Sequence, residues 1–194
     1  MMKYLVRHLQ IALLVMFAPL ILADSHDAID PDLLNSLRAA VQESTSFDDA
    51  YVAQVWLVDM SSRIQKLIPN ATERIVFLKT LHHEATLAGL QPELVLAVIH
   101  IESRFDRYAI SRAGARGLMQ IMPFWKNELG RTDDNLFNMA VNLRYGCTIL
   151  AHYLKRERGD LQKALARYNG STGKTWYPEK VLTAWERYYF VDHS

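Results

Sequence analysis

One carboxyl group, that of Glu102, stands out in this chain as a candidate acid. It follows residues 94–101, in which every side chain except that of His100 is apolar. This pattern predicts a central, buried helix that begins at Pro92 and ends near Glu102. Burial and the partial negative charge at a helix C-terminus both disfavour a carboxylate, so both raise its pKa. A carboxyl group that keeps its proton near neutral pH can protonate a glycosidic oxygen.

The same pattern also fits a second interpretation, in which Glu102 is simply the first exposed residue after a buried helix. A conventional glycosidase uses two carboxyl groups that flank the scissile bond. No motif places a second acid beside Glu102, although Asp106 follows it four residues later. Any acid chemistry at this position would therefore depend on one carboxyl group.

The elements that position Glu102 are predicted to be almost entirely helical. Apolar residues recur at helical spacing over residues 31–41 and again over residues 50–68. In the second of these segments, Trp56, Leu57 and Ile64 form a predicted docking face against the main domain. We expect this N-terminal part to pack on the domain that carries Glu102.

Helix boundaries in the main domain are predicted from capping residues. Asn70 and Glu73 are typical of a helix start, and Gly89 is predicted to end that helix. Helical spacing predicts further helices over residues 124–129, 136–154 and 160–168, with a last helix that begins at Pro178. Between them, the small residues from Ser111 to Gly117 predict a loop with a short irregular hairpin.

Two stretches of the chain resemble a known family. Glu102-Ser103-x-Phe105 is followed at fixed spacing by Ala109-x-Ser111-x-x-Gly114-Ala115-x-Gly117-Leu118-Met119-Gln120-Ile121-Met122-Pro123. This pattern resembles the signature of the soluble lytic transglycosylases, whose fold is similar to that of goose-type lysozyme. The resemblance covers about residues 72–189 and implies a mostly α, lysozyme-like fold with a minimal β-hairpin and an N-terminal helical extension.

Downstream segments carry the same resemblance. Asn142 with Gly146 resembles a further helix of the family. Ala164-x-x-Arg167-Tyr168-Asn169-Gly170 resembles the family's Ala-Tyr-Asn-x-Gly motif. It departs at two places, because Arg167 replaces a small residue and Gly170 follows Asn169 directly. These departures concern the shape of the loop rather than the Tyr-Asn pair.

The resemblance implies a role for each matching residue. Glu102 would act first as the acid and then as the base, and Tyr168 would hydrogen-bond its carboxyl group. Substrate contacts would come from a set of loop residues that touch the sugar, line its subsites or let the backbone approach it: Ser111, Gln120, Met122, Asn169, Gly114 and Gly117. Structural interpretations compete with these roles, since Tyr168 and Met122 also suit a protein core.

The implied reaction acts on the glycan strands of bacterial peptidoglycan. It cleaves the β-1,4 bond between N-acetylmuramic acid and N-acetylglucosamine. The C6 hydroxyl group of the sugar attacks in place of water, so the product is a 1,6-anhydromuramyl sugar. This chemistry needs one carboxyl group, no metal and no organic cofactor.

Three alternatives stay open at this point. A lysozyme-type muramidase would use the same glutamate but water as the nucleophile, and a non-catalytic cell-wall-binding or scaffold domain would not use it at all. The third alternative is a zinc enzyme, which His82-His83-Glu84 and His100 could suggest. Their spacing, however, is not that of the His-Glu-x-x-His motif.

The N-terminal residues predict export from the cytoplasm. Lys3 and Arg7 precede an apolar run over residues 11–22, and Ala23 is a small residue at its end. This is typical of a signal peptide over residues 1–23, with an uncleaved anchor as the alternative. We therefore expect a periplasmic or secreted protein with a helical extension over residues 24–69 and a catalytic domain over residues 70–190.

The composition of the chain limits which binding partners and which covalent links are expected. The net charge of +1 gives no indication of a nucleic-acid-binding protein. The only cysteine, Cys147, is predicted to be a core residue, so no intramolecular disulfide forms. A monomer is expected, and a partner in an envelope assembly stays possible without being identified by any motif.

Overall fold

The computed structural model describes residues 50–128 and 131–191. Within these ranges the chain forms seven α-helices and a short π-helix. They are α1 (Ala50–Ile64), α2 (Ala71–Leu87), α3 (Pro92–Glu102), α4 (Phe124–Glu128), α5 (Met139–Arg156), α6 (Leu161–Tyr168), α7 (Trp176–Ala184) and the π-helix (Trp185–Tyr189). The predicted signal peptide, the predicted helix over residues 31–41 and the predicted helix end at residues 129–130 lie outside the described residues.

Helix α3 lies at the centre of the fold. All its side chains from Glu93 to Ile99 are buried, and Pro92 occupies its first turn. Helices α2 and α7 and the π-helix pack around it. The prediction of a central helix that is apolar on all sides and ends at Glu102 is therefore confirmed.

Side-chain caps define several helix ends. The side chain of Asn70 accepts a hydrogen bond from the Glu73 amide at 2.9 Å, as the sequence predicts. The side chain of Asp160 accepts one from the Lys163 amide at 3.0 Å and so starts α6. The last helix, α7, begins at Trp176, two residues before the predicted start at Pro178. Proline is compatible with the first turn of a helix, so Pro178 does not have to be its first residue.

The loop between α3 and α4 contains the only strand-like pairing among the described residues. Arg116 forms isolated antiparallel bridges with Ile110 and with Ile121. The predicted hairpin is thus reduced to two bridges. Gln120 has a φ of 51°, so the chain turns here in a conformation that non-glycine residues rarely adopt. The prediction of a mostly helical fold is confirmed.

Helix α1 shares the core of the domain that carries Glu102. Met60 and Ile64 are fully buried, and Leu57 packs partly buried against the same core. The indole nitrogen of Trp56 donates a hydrogen bond to Oε1 of Glu93 at 2.6 Å. The predicted docking face therefore lies against α2 and α3, while the domain boundary at residue 69 stays a prediction.

No single helix in residues 50–128 and 131–191 is both long and apolar enough to span a membrane. Helices α2 and α3 pass such a test only as a pair, but the chain bends by 116° between them.

Cys147 is fully buried, and its burial raises the pKa of the thiol.

We expect Met60→Ala to lower the free energy of unfolding by about 2–4 kcal/mol, because it leaves a cavity between α1 and the core. Urea denaturation measures this. Val58→Ala is the matched control on the exposed face of α1, where Val58 is 70% exposed, and its effect should stay within about 0.5 kcal/mol. Equal, small effects of both substitutions would contradict a shared core.

Candidate active site

Glu102 is the last residue of α3, and its carboxyl group is partly buried. Burial raises the pKa of Glu102 from 4.5 to about 7, while a hydrogen bond from Tyr177 lowers it in part. Neither cause is a neighbouring carboxylate. A group with this pKa holds a proton in a substantial fraction of molecules near neutral pH, and it also accepts one back readily.

Tyr177, in the first turn of α7, holds the carboxyl group of Glu102. Its hydroxyl group donates a hydrogen bond to Oε1 of Glu102 at 2.6 Å. The ring is almost fully buried, at 1% exposure. Burial, and then the charge of Glu102, raise the pKa of Tyr177 well above its usual range, so the hydroxyl group stays a donor. The contact fixes one carboxyl oxygen and stabilises the ionised form.

The structure places the hydroxyl group of Tyr168 elsewhere than the family resemblance implies. It donates a hydrogen bond to the main-chain oxygen of Met119 at 2.8 Å, not to Glu102. Tyr168 is nonetheless close enough for the charge of Glu102, after burial, to raise the pKa of its hydroxyl group. The expected hydrogen bond to the carboxyl group is thus made by Tyr177, and Tyr168 instead holds the loop that passes beside it.

The main chain of Met119 is held from both sides. While its oxygen accepts from Tyr168, its amide donates to Oδ1 of Asn142 at 2.8 Å. The Nδ2 group of Asn142 also donates to the main-chain oxygens of Arg116 and Leu136, at 2.9 and 2.8 Å. One buried amide side chain on α5 thereby satisfies two main-chain groups of the loop and one in the segment that precedes α5.

Two glycines permit this close packing. A Cβ atom on Gly117 would lie 2.4 Å from Nδ2 of Asn142, and one on Gly146 would lie 2.3 Å from the sulfur of Met119. Gly117 is also buried and has a φ of 75°. Gly117 therefore has an internal role, since it lets the loop contact α5, while its predicted approach to the glycan stays a prediction.

Other predicted loop residues are partly engaged within the loop. Oγ of Ser111 accepts a hydrogen bond from the Ala115 amide at 3.0 Å. Nε2 of Gln120 donates to the main-chain oxygens of Ala109 and Gly117, at 3.2 and 2.9 Å. Both side chains are partly exposed, so each shapes the loop and still reaches solvent. Gly114 has a φ of 88°, and a Cβ atom added to it would meet no atom within 4 Å.

Met122 and Asn169 also lie at the edge of the core. Met122 is partly buried and packs against it, whereas Met119 is fully buried and serves as a core residue. Asn169 caps the C-terminal end of α6 directly after Tyr168 and is partly exposed. These positions are compatible with the predicted subsites, which stay predictions.

Sequence reasoning missed Tyr177. Its only signal is its place in Trp176-Tyr177-Pro178, where an aromatic residue before a proline equally suits the core. The hydroxyl group reaches Glu102 across 75 residues of sequence, and no local spacing encodes such a contact. Asn142 was noticed as part of a pattern, but its contacts with Met119, Arg116 and Leu136 could not be derived from the pattern.

The zinc alternative gains no support from the geometry. Across residues 50–128 and 131–191, no three His, Cys, Asp or Glu side chains lie together as a metal site would require. His82 packs edge-on against Trp56, and Nδ1 of His100 is 2.8 Å from the hydroxyl oxygen of Tyr189. These histidines therefore point to separate parts of the fold.

The raised pKa of Glu102 predicts a pH-dependent cost to stability. The folded chain keeps this proton up to about pH 7, whereas the unfolded chain releases it near 4.5. Because the folded state binds more protons in this window, stability falls as pH rises through it. We expect Glu102→Gln to become more stable than the native chain by up to about 3 kcal/mol between pH 4.5 and 8.

Urea unfolding at several pH values measures this difference. Glu128→Gln, at an exposed carboxyl group on α4, is the matched control, and its curve should run parallel to that of the native chain. A difference between Glu102→Gln and the native chain that stays constant with pH would contradict the raised pKa.

The two tyrosines make different predictions for the carboxyl group. Tyr177→Phe removes a hydrogen bond that lowers the pKa of Glu102, so we expect that pKa to rise. Tyr168→Phe removes a hydrogen bond to Met119 and should change it less. Carboxyl titration by infrared spectroscopy, with Glu102→Gln to assign the band, checks both. A larger change in Tyr168→Phe would show that Tyr168, rather than Tyr177, holds the carboxyl group.

Known proteins resemble this chain in sequence. The "Transglycosylase" of Enterobacteria phage PRD1 is 37% identical over 101 residues, which cover 48% of this chain and 37% of that protein. The "Membrane-bound lytic murein transglycosylase C" of Yersinia enterocolitica is 28% identical over 137 residues, or 61% of this chain and 37% of that protein. The chain thus spans little more than a third of the length of these relatives.

A solved structure of an inactive mutant of lytic transglycosylase Slt from Pseudomonas aeruginosa matches with a TM-score of 0.46 and 22% identity, covering 77% of this chain and 31% of that one. The family model described as "Transglycosylase SLT domain" matches residues 80–184, which hold Glu102, Tyr168, Tyr177 and the loop between α3 and α4. With more than half of its length matched, this chain belongs to the transglycosylase SLT domain family.

Proposed function

We propose that this chain is a peptidoglycan lytic transglycosylase. It cleaves the β-1,4 bond between N-acetylmuramic acid and N-acetylglucosamine and leaves a 1,6-anhydromuramyl product. The observation that carries this proposal is Glu102, a partly buried carboxyl group with a pKa of about 7 that one tyrosine hydroxyl group orients. Family membership supports the same substrate class.

In the first step, Glu102 acts as the acid. The protonated carboxyl group donates its proton to the glycosidic oxygen, and the bond from that oxygen to C1 breaks. Positive charge develops at C1, where the substrate's own N-acetyl group stabilises it. Burial keeps the proton available, since an ordinary glutamate would have lost it at neutral pH.

In the second step, Glu102 acts as the base. It is now a carboxylate, and the hydrogen bond from Tyr177 stabilises that charge. The C6 hydroxyl group attacks C1, a C1–O6 bond forms, and the hydroxyl proton passes to Glu102. The carboxyl group is thereby restored, no water is consumed, and no second carboxyl group takes part.

The loop and the C-cap residue of α6 supply the proposed sugar contacts. Ser111, Gln120, Met122 and Asn169 present partly exposed side chains, and Gly114 leaves the main chain open to a ligand. Tyr168 acts as a positioning residue, because it fixes the main-chain oxygen of Met119 and with it the loop.

The proposed site of action is the cell envelope. A relative named "Membrane-bound lytic murein transglycosylase C" supports this location. The predicted signal peptide over residues 1–23 would deliver the chain there, with a periplasmic or secreted product. No binding partner other than the glycan strand is proposed.

We expect Glu102→Gln to lower turnover of purified peptidoglycan by about 10³-fold or more, because it removes both proton transfers. Release of soluble fragments from sacculi measures the rate. Circular dichroism and urea unfolding confirm that the variant is folded, and Glu128→Gln is the control. Undiminished cleavage by Glu102→Gln would exclude the proposed acid.

Mass spectrometry of the native chain's products distinguishes transfer from hydrolysis. Anhydro products weigh one water less than the reducing-end muramic acid that a lysozyme-type muramidase leaves. We expect anhydro ends. Reducing ends alone would assign the chain to the hydrolytic alternative, and binding without any cleavage would assign it to the non-catalytic one.

A further inference from the structure

Arginine and aromatic side chains form a surface on the outer side of the loop that follows Glu102. This arginine–aromatic surface consists of Arg107, Tyr108, Ile110, Arg116 and Phe137. Tyr108 and Ile110 are 63% and 66% exposed, which is high for two large apolar side chains on one short segment. Adjacent exposed apolar groups of this kind are typical of binding surfaces.

The contacts within the surface hold the two guanidinium groups in place. The guanidinium carbon of Arg107 is 5.0 Å from the ring centre of Tyr108, and that of Arg116 is 5.9 Å from the ring centre of Phe137. The two rings are 6.1 Å apart. Aromatic faces attract a guanidinium group without using its hydrogen-bond donors, so these two contacts occupy none of the donors.

The charges of the two arginines are not neutralised within the described part of the chain. Neither Arg107 nor Arg116 forms an ion pair there, and Nε of Arg107 is buried without a hydrogen-bond partner. Its Nη2 makes only a long contact of 3.4 Å with the main-chain oxygen of Phe137. By contrast, Arg144 on α5 pairs with buried Glu84 at 2.8 Å.

The surrounding segment is strongly basic. Residues 103–116 contain four arginines and one acid, a net charge of +3 in a chain whose net charge is +1. The acid, Asp106, accepts a hydrogen bond from the Tyr108 amide at 2.9 Å and so belongs to the local turn. The ligand that complements this segment is therefore anionic.

The surface is joined directly to the wall of the candidate active site. The Gly117 amide and Nε2 of Gln120 both donate to the main-chain oxygen of Ala109, which lies between Tyr108 and Ile110. In the same loop, Met119 accepts the hydrogen bond from Tyr168. The segment that carries the arginines and the segment that packs beside Tyr168 therefore belong to one hydrogen-bonded loop, which follows Glu102 directly in the chain.

We propose that the arginine–aromatic surface binds the carboxylate-bearing peptide branches of the peptidoglycan strand. This inference rests on the proposed function, because it takes the glycan of that strand to lie at Glu102. The guanidinium groups of Arg107 and Arg116 bind peptide carboxylates, for which their planar geometry suits two parallel hydrogen bonds. Tyr108 and Ile110 cover the apolar parts of the same peptide. The surface therefore favours strands that keep their peptides over bare glycan.

Binding measurements with two probes test this. The probes are soluble peptidoglycan strands with their peptides and the same strands after an amidase has removed them. All variants carry Glu102→Gln, so turnover does not consume the probe. Adding Arg107→Gln with Arg116→Gln should weaken binding to peptide-bearing strands about tenfold and leave binding to bare strands unchanged.

The matched control removes the same charge elsewhere. Arg156 and Arg187 are exposed, and Arg187 lies 5.5 Å from the ring centre of Tyr188, so Arg156→Gln with Arg187→Gln also breaks one arginine–tyrosine contact. This control should retain the preference for peptide-bearing strands. Arg107→Lys with Arg116→Lys should restore part of the affinity, which a purely structural role of the arginines would not predict.

Equal losses on both probes, or no loss on either, would overturn the peptide surface. Cleavage by the native chain is measured separately on both strands. Peptide-dependent binding without cleavage would refute the proposed enzyme while leaving the surface intact. Cleavage by the native chain, together with no effect of the arginine substitutions on binding, would refute the surface while leaving the proposed enzyme intact.

Discussion

The burial of helix α3 is the constraint on which the site depends. A helix that is apolar on all sides needs neighbours on all sides, and here α2, α7 and the π-helix supply them. Its last residue therefore emerges at the edge of the core rather than in open solvent. The same packing that stabilises the fold removes water from Glu102 and raises its pKa. In this domain, core packing and acid strength have one physical origin.

The tyrosines beside this carboxyl group differ in what they hold. Tyr177 touches the carboxyl group itself, whereas Tyr168 fixes the main chain of Met119. From α5, the side chain of Asn142 also hydrogen-bonds to two main-chain groups of this loop. A loop with almost no β-structure is thus held by side chains from two helices. Rigid geometry at a site without a sheet follows from such buried polar contacts.

The sequence predicted the parts of this fold that local patterns encode. The apolar run of α3, the Asn70 cap and the docking of Trp56 all depend on spacing or on residue type. Those same local features marked Glu102 as a candidate acid, and the family resemblance favoured that interpretation over a merely exposed residue. The partner of its carboxyl group was assigned to Tyr168, since nothing in the chain distinguishes a buried tyrosine that faces Glu102 from one that faces a main-chain oxygen. That choice depends on how α6 and α7 pack, which is a tertiary property.

The distance along the chain between Glu102 and Tyr177 has a consequence for biosynthesis. The two residues are 75 positions apart, and Arg63 on α1 contacts the main-chain oxygen of Tyr188 across 125 positions. A nascent polypeptide exposes its N-terminal segments first, so the glutamate emerges well before the tyrosine that orients it. Closing loops of this length is entropically unfavourable until the last helices dock. The contact that orients Glu102 therefore forms only when the last helices dock. The site is complete only after the chain has been synthesised to that point.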